Sequence, residues 1–491
     1  MTQYLNQTFK KFIFYSLSVF FILSCGEKAK QAESTREFLE QVTDTFFQEA
    51  FRPQFHFSPE EKWMNDPNGL VYHQGTYHMF YQFYPEDIVW GPMHWGHATS
   101  QDLIYWEHQK VKLFPDEHGY IFSGSAVVDH QNSSGFGTLE NPPLVAIFTY
   151  HNAEMAEKKR IDYQTQGLAY SLDNGQTWTK YKNNPVLHNP GIIDFRDPKV
   201  FWHEESKKWI MALAVKDHAE FYSSSNLINW SKLSEFGKNA GAHGGVWECP
   251  DLFRLKVEGT DTYKWVLIIS INPGGPNGGS ATQYFTGDFD GNTFTADHEE
   301  IKWIDHGADN YAGVTYDNVP GGKKITIGWM SNWNYGQETP TVKWRSAMTL
   351  PRELSLVSEE GKYLLRSKVI DAFNKLLNPI KEIETYDLKE TFRFSDERLE
   401  LSETTFRTKL SQDLSFKLFN ELGEFVLFRI DPEKMEMSID RRKSGKTDFT
   451  ENFADKIHIL PYRGSEKEVD IRIILDRSSV EIFADKGKYV M

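Results

Sequence analysis

The chain has 491 residues, more than one ordinary core accommodates, so a leader and two domains are expected. With 40% hydrophobic and 25% charged residues it has the composition of a globular protein, not of a disordered or fibrous one. The excess of 69 acidic over 54 basic residues, net −15, argues against nucleic acid as the main partner, and two cysteines cannot supply a disulfide framework.

The first predicted element is the leader. Lys10 and Lys11 precede the apolar run FIFYSLSVFFIL, which ends at Ser24 and Cys25. A basic start, a short apolar stretch and a small residue at the cut are the marks of a secretory signal. The run is too short for a comfortable membrane span. Ile22-Leu23-Ser24-Cys25 also resembles the lipobox of bacterial lipoproteins, so residues 1–25 are expected to be a lipoprotein-type signal with Cys25 the lipidated residue. Plain secretion with an incidental cysteine is the alternative. Residues 26–50 are polar and charged, as a tether is. Export to a bacterial membrane surface, on its periplasmic or extracellular side, follows from the two together. The only membrane contact expected is that anchor.

From Phe51 onward the dominant period is two. Runs such as YHMFYQFY, LVAIFTY, KWIMALAV, KWVLIIS and KKITIGWM recur between turn signals, and their nearly continuous apolarity predicts strands covered on both faces. Many short antiparallel strands over residues 51–355 suit a β-propeller. Two weak internal repeats support it. One is an acid, a proline and a hairpin, in NDPNGLVYHQGTYHMFYQ, RDPKVFWHEESKKWIMALA and ECPDLFRLKVEGTDTYKWVLIIS. The other ends a strand with a turn and Trp, in TSQDLIYW, YSLDNGQTW and SSSNLINW. A propeller places equivalent strand starts around one end of its axis, which would bring the acids of the first repeat into one funnel. After a linker-like KLLNPIKEIE, the region 380–491 alternates apolar and polar residues, as in TFRFSDERLEL, FVLFRI and VDIRIIL. That is the pattern of a β-sandwich, expected to be a support domain.

Glycoside hydrolysis needs one carboxylate to attack, or to activate water, and one carboxylic acid to protonate the leaving oxygen. Asp66 lies in WMNDPNG, where Pro67 and the turn pair Asn68-Gly69 can hold a short carboxylate at a strand rim, as suits a nucleophile. A hairpin-capping Asx turn is the alternative. Glu248 lies in WECPDLF between Trp247, Cys249 and Pro250, and apolar neighbours favour the protonated form that a general acid needs. Its alternative is a strand-edge Glu paired with an Arg. Asp197 lies beside Arg196, which should keep it ionised for holding sugar hydroxyls or stabilising positive charge, or simply as a salt bridge. Cys249 itself reads as a small packed thiol.

WMNDPNG, FRDPK and ECPDLF resemble, in order and spacing, the signature blocks of the β-fructofuranosidase family, glycoside hydrolase family 32, which includes invertases, inulinases and levanases. The resemblance extends through FRPQFHFSPEEKWMNDPNGLVY, GPMHWGHATSQDLIYW, IFSGSAV, DNYAGVTY, WRSAMTLPREL and DRSSVEIFADKGKYVM. It implies an all-β fold, a five-bladed propeller followed by a sandwich, with a funnel-shaped site and neither metal nor other cofactor. It also implies Asp66 as nucleophile, Glu248 as acid/base and Asp197 as transition-state stabiliser. Asn65, Gln82, Trp90, Phe122, Ser123 and Arg196 would contact sugar, and Trp63 and Trp333 would line the funnel wall. Core packing is the competing reading for Trp90, Phe122 and Trp333.

DNYAGVTY and IGWMSNWNYGQETPTVKWRSAM look more like exo-acting levanases and inulinases than like sucrose-specific invertases, so fructose release from levan, inulin or sucrose is expected. The family's other members continue beyond the GKYVM at which this chain stops, so an incomplete sandwich is expected. Competing readings are a propeller glycosidase acting on arabinose or xylose, a transfructosylase, and a non-catalytic glycan-binding lipoprotein. The presence of all three acids weighs against the last. His94 and His97 lack partners at zinc-site spacing. NPGGPNGGS lacks the ending of a phosphate loop and reads as a mobile turn.

Overall fold

The computed structural model describes residues 47–383, 391–463 and 468–491. The expected signal, Cys25 and the tether as far as residue 46 lie outside them.

Five antiparallel sheets follow one another along the chain. Blade I is Lys62–His73, Thr76–Tyr84, His94–Ser100 and Glu107–Leu113. Blade II is Tyr120–Val128, Leu144–His151, Gln164–Ser171 and Thr179–Lys180. Blade III is Phe195–His203, Lys208–Val215, His218–Ser224 and Ser231–Phe236. Blade IV is Val246–Lys256, Tyr263–Asn272, Ala281–Phe289 and Phe294–Ala296, with Lys302–Trp303 also on its third strand. Blade V is Tyr311–Thr315, Lys324–Trp329, Arg352–Glu359 and Lys362–Val369. It therefore runs beyond residue 355, because the turn at Glu360-Gly361 returns the chain for one more strand.

The first strand of each blade lies against the first strand of the next, and that of blade V returns to blade I. Trp344–Arg345 adds to blade I in parallel with Lys62 and Trp63, tying the end of the ring to its beginning. The result is a five-bladed propeller.

The apolar runs have a direct use in this arrangement. Each pair of adjacent blades encloses its own core, so both faces of a sheet must be apolar. Phe80 and Trp95 of blade I meet Phe148 of blade II. Ile147 of blade II meets Trp209 and Leu213 of blade III, and Phe221 of blade III meets Trp247 and Leu267 of blade IV. Val266 of blade IV meets Leu356 of blade V, and Trp329 of blade V closes on Trp63 of blade I. Each large apolar side chain buried in this way contributes about 1.5–3 kcal/mol. The second repeat has one structural cause: Ser100, Ser171 and Ser224 each bond the side chain two residues on, at 3.3, 2.8 and 3.1 Å, in the turn leaving the third strand of blades I to III.

The sandwich packs Ser402–Lys409, Glu468–Asp476, Ser479–Ala484 and Tyr489–Val490 against Leu414–Phe419, Phe425–Asp431, Glu436–Lys443 and His458–Pro461. Ile430, Met437, Leu460, Ile471 and Ile473 fill the space between. TFRFSDERLEL is not the strand its alternation predicts. Asp396 accepts from the Arg398 amide at 3.0 Å and starts a 3-10 turn, Glu397–Glu400, so the strand begins only at Ser402. NPGGPNGGS is not a loose turn either, since Asn277 exchanges bonds of 3.0 and 2.9 Å with the backbone of Ile459.

Candidate active site

Every innermost strand of the propeller carries a β-bulge near its start. The unpaired residues are Asn65 and Asp66, Phe122 and Ser123, Asp197 and Pro198, Cys249 and Pro250, and Ala312 and Gly313. The motifs read as turns are thus strand interiors broken by one extra residue, which re-aims side chains that a regular strand would send into a blade. Three of these residues take positive φ without being glycine: Asp197 at 62°, Cys249 at 47° and Ala312 at 53°. Such backbone costs on the order of 1–3 kcal/mol and persists only where its surroundings hold it.

The hold comes from the preceding blade. The Asp197 amide donates to Thr149 Oγ1 at 2.9 Å, the Cys249 amide to Asp197 Oδ2 at 3.1 Å, and the Ala312 amide to Ser270 Oγ at 3.0 Å. Gly124, just past the second bulge, likewise donates to Asn68 Oδ1 at 3.0 Å. Amides freed from the ladder are thereby paired, and blades I to IV each fix the next one's bulge.

The three acids come together through this frame. Asp66 accepts from Ser123 Oγ at 2.6 Å and from Asn65 Nδ2 at 3.0 Å. Cys249 Sγ lies 3.5 Å from Asp66 Oδ2 and 3.7 Å from Asp197 Oδ2, so the thiol bridges two carboxylates. Burial holds that thiol well above its usual range, and it remains a donor. Burial, reinforced by the Glu248 carboxylate, pushes Asp66 up to about 6; its Ser123 and Asn65 bonds oppose the rise.

Two expectations about electrostatics are corrected. Arg196 was expected to keep Asp197 ionised. Its guanidinium lies 3.9 Å from Asp197 but 2.7 Å from Glu248 and 2.5 Å from Asp194. Burial outweighs it and, with Glu248 and Asp66 adding to the rise, pushes Asp197 up to about 7. Glu248 was expected among apolar neighbours. Trp247 instead points into the core, with its indole bonded to the Ala242 carbonyl at 2.8 Å. The carboxylate meets Arg196 through Oε1, at 2.7 and 3.2 Å, and the Tyr311 hydroxyl through Oε2. The Glu–Arg pair considered as an alternative is therefore present, inside the cluster of acids.

The other expected residues divide. Phe122 is half-buried and stacks on His151 at 4.2 Å, with Trp90 edge-on to it at 6.1 Å and 37% exposed. Trp333 is half-buried, 6.0 Å from Trp63 and 4.9 Å from Trp329. Trp63 does not line the funnel: it is 0% exposed, and its Nε1 donates to Asn65 Oδ1 at 2.8 Å, so it supports the residue that supports Asp66. Gln82 is buried opposite the first bulge and donates to the Ile121 carbonyl at 3.0 Å.

Tyr311, Asp194 and Thr149 were not singled out from sequence. Tyr311 sits in the quoted DNYAGVTY and could have been found by noticing that this run opens the fifth blade as the acid motifs open theirs. Among the described residues the one His/acid set at metal-ligand spacing is His218, Glu220 and Glu235, and it includes none of the three acids. Lys232 bridges both its glutamates, at 2.5 and 3.3 Å.

A propeller whose axial bulges gather carboxylates, an arginine and a tyrosine at one end has the makings of a glycosidase. The chain matches the Glycosyl hydrolases family 32 N-terminal domain over residues 56–367 and the family 32 C terminal domain over 366–491, and it belongs to that family. It is 43% identical over 471 residues to a levanase of Bacillus subtilis, an alignment covering 91% of this chain and 66% of that one. It is 40% identical to an extracellular exo-inulinase of Aspergillus niger, covering 90% of this chain and 89% of that one. Among solved structures, the exo-inulinase of Aspergillus awamori superposes with a TM-score of 0.78 at 35% identity, covering 91% of this chain and 93% of its own. The β-fructofuranosidase of Schwanniomyces occidentalis complexed with fructosyl-erythritol gives 0.80 at 32%, covering 91% and 92%.

Proposed function

We propose that this chain is a retaining exo-β-fructosidase, releasing fructose from levan or inulin and from sucrose. Asp66 attacks the anomeric carbon of the terminal fructose while Glu248 gives its proton to the departing oxygen. Water then surrenders a proton to Glu248 and attacks the same carbon, releasing fructose and restoring the Asp66 carboxylate. Asp197 steadies the positive charge that develops on the ring, and Ser123 and Asn65 orient the nucleophile. Asn65, Gln82, Trp90, Phe122, Arg196 and Trp333 are assigned to the sugar pocket, Gln82 by its place opposite the Asp66 bulge.

The observation that carries this reading is the gathering of the three acids: Cys249 Sγ lies against both Asp66 and Asp197, and Arg196, 3.9 Å from Asp197, bonds Glu248. The similarity to levanases and exo-inulinases along nine-tenths of the chain supports the substrate class. The leader supports export and anchorage through Cys25, and Cys25→Ser should then move the enzyme from the membrane fraction to the soluble one.

The decisive experiment incubates leader-free protein with sucrose, inulin and levan and follows the sugars released. Free fructose from the first minutes, with slow shortening of the polymer, supports the proposal, and the relative rates name the linkage. Early oligosaccharides indicate endo cleavage, and longer products indicate transfer. Folded protein inactive on all three sinks the proposal.

A further inference from the structure

One arginine of the sandwich grips two loops of the propeller. Arg441, on the strand Glu436–Lys443, donates from Nη1 to Asp309 Oδ2 at 2.6 Å and from Nη2 to the Tyr335 hydroxyl at 2.8 Å. Tyr335 in turn donates to Asp309 Oδ1 at 2.7 Å, so the three side chains close a ring. Its Nε donates to the Phe453 carbonyl at 2.9 Å, and the guanidinium lies 3.9 Å above the Phe453 ring. With three sets of donors engaged and one face covered, the planar group has little freedom to turn.

The two gripped residues stand close in sequence to the site. Asp309 is two residues before Tyr311, whose hydroxyl holds Glu248. Tyr335 is two residues after Trp333, which packs against Trp63 at 6.0 Å; Trp63 holds Asn65, and Asn65 holds Asp66. The neighbouring sandwich strand, His458–Pro461, makes a second tie. Its Ile459 is the backbone partner of Asn277, and Ser280 of that same loop accepts from the Trp333 amide at 3.1 Å.

Docking alone would not need this arrangement. The other sheet of the sandwich already joins the propeller through apolar packing of Ile474 and Phe483 on Leu350 and Val369, and through Glu481 on Arg352. We infer that Arg441 is a positioning residue: it fixes both the segment that presents Tyr311 to Glu248 and the loop that presents Trp333 beside the nucleophile. The sandwich thereby shapes a site to which it contributes no reacting atom. This rests on the proposed β-fructosidase reading for its kinetic consequence.

The test is Arg441→Met in the full leader-free chain, with Arg441→Lys beside it and Arg429→Met as a control that breaks an exposed pair with Asp413 on the same sheet. Arg441→Met should lower kcat/KM on sucrose by about tenfold to a hundredfold, the scale of a small misplacement of catalytic groups. Hydrogen exchange should rise in peptides spanning 306–311 and 331–343, and around Phe453, which loses its own bond to Arg441, but not in the rest of the propeller. Arg441→Lys should recover part of both, since an ammonium keeps the charge opposite Asp309 but lacks the planar fork that reaches Asp309, Tyr335 and the Phe453 carbonyl together. Unchanged rates with unchanged exchange overturn the inference. So does a loss of rate accompanied by faster exchange along the whole chain, which would make Arg441 a general stability residue. If the wild type proves inactive on every fructoside, the functional reading fails, while the exchange pattern still decides whether Arg441 fixes the two loops.

Discussion

Tyr311 donates its phenolic hydrogen bond to Oε2 of Glu248, the carboxylate oxygen that Arg196 leaves unoccupied. Burial and the Glu248 charge hold the phenol well above its usual range, so it stays a donor wherever the enzyme works. Arg196 is itself anchored by Asp194 at 2.5 Å. The carboxylate is therefore aimed by two groups fixed on different blades. Tyr311→Phe fills the same space and removes only the donor; kcat on sucrose should fall about tenfold or more. Initial rates together with an unchanged circular dichroism spectrum check this, and a wild-type kcat would reduce Tyr311 to a packing residue.

The proton that Glu248 supplies matters only where the leaving alkoxide is poor. Glu248→Gln keeps the Arg196 contact through its amide oxygen and should cost about 10²–10⁴-fold on sucrose or levan. On an aryl fructoside with an activated leaving group the loss should be far smaller. Equal losses on both substrates would count against the acid role.

Asp66 must be ionised to attack, and its carboxyl is pushed up to about 6 by burial. Asp197 must also be ionised to steady positive charge on the ring, and it is pushed up to about 7. The acid limb of kcat/KM is therefore expected between about pH 6 and 7, with activity rising as the pH passes through it. Ser123 donates to the ionised form, which lowers the pKa, so Ser123→Ala should move the limb toward higher pH. A limb that stays in place in that variant would show that another group controls it.

Trp63 tests whether a supporting residue has been told apart from a contact. Trp63→Phe retains an aromatic ring in the core and deletes the donor to Asn65. Because Trp63 is buried, the variant should bind product fructose as the wild type does and lose about tenfold in kcat, a modest loss of alignment. Weakened fructose binding with normal kcat would return Trp63 to the funnel wall.

Much of this was legible in the sequence because short-range pattern and long-range structure coincide. The runs around Ile147, Leu213 and Leu267 are apolar at every position since cores lie on both sides, and that signals buried strands directly. Asp66, Asp197 and Glu248 announced themselves by repeating a strand opening. The environment of each acid was not legible. Asp197, Cys249 and Ala312 sit at bulges with positive φ, and a period-two pattern carries no mark of the extra residue. Arg196 is adjacent to Asp197 in sequence yet turns to Glu248, a choice made by blade packing. A tryptophan before the nucleophile reads the same whether it faces sugar or, as Trp63 does, stands behind Asn65.

The motif text around His56 and DRSSVEIF was likewise visible, but its purpose needed the third dimension. His56 is enclosed by two sandwich carboxylates, with Nδ1 2.8 Å from Asp476 and Nε2 3.9 Å from Glu481, and Glu481 also bonds Arg352 of blade V at 3.1 Å. Burial alone would lower the His56 pKa, but the two acids win and raise it to about 9. A folded value above the unfolded one means a stabilisation fully present below about pH 6.5, lost as the pH rises through 9. The same pairing, with Arg352 the largest opponent of burial, lowers Glu481 to about 2, so its share is present above about pH 4.5 and lost as the pH falls toward 2. Together they place the greatest benefit between roughly pH 4.5 and 6.5. His56→Gln should cost on the order of 3 kcal/mol at pH 6, since it leaves the buried Asp476 carboxylate without its charged partner, while Glu481 keeps Arg352. Denaturant melts at intervals from pH 5 to 10 provide the check. Wild-type stability should decline between pH 6.5 and 9, and the variant should be lower at pH 6 and nearly flat across that window. Parallel curves would mean that His56 is not charged in the folded protein.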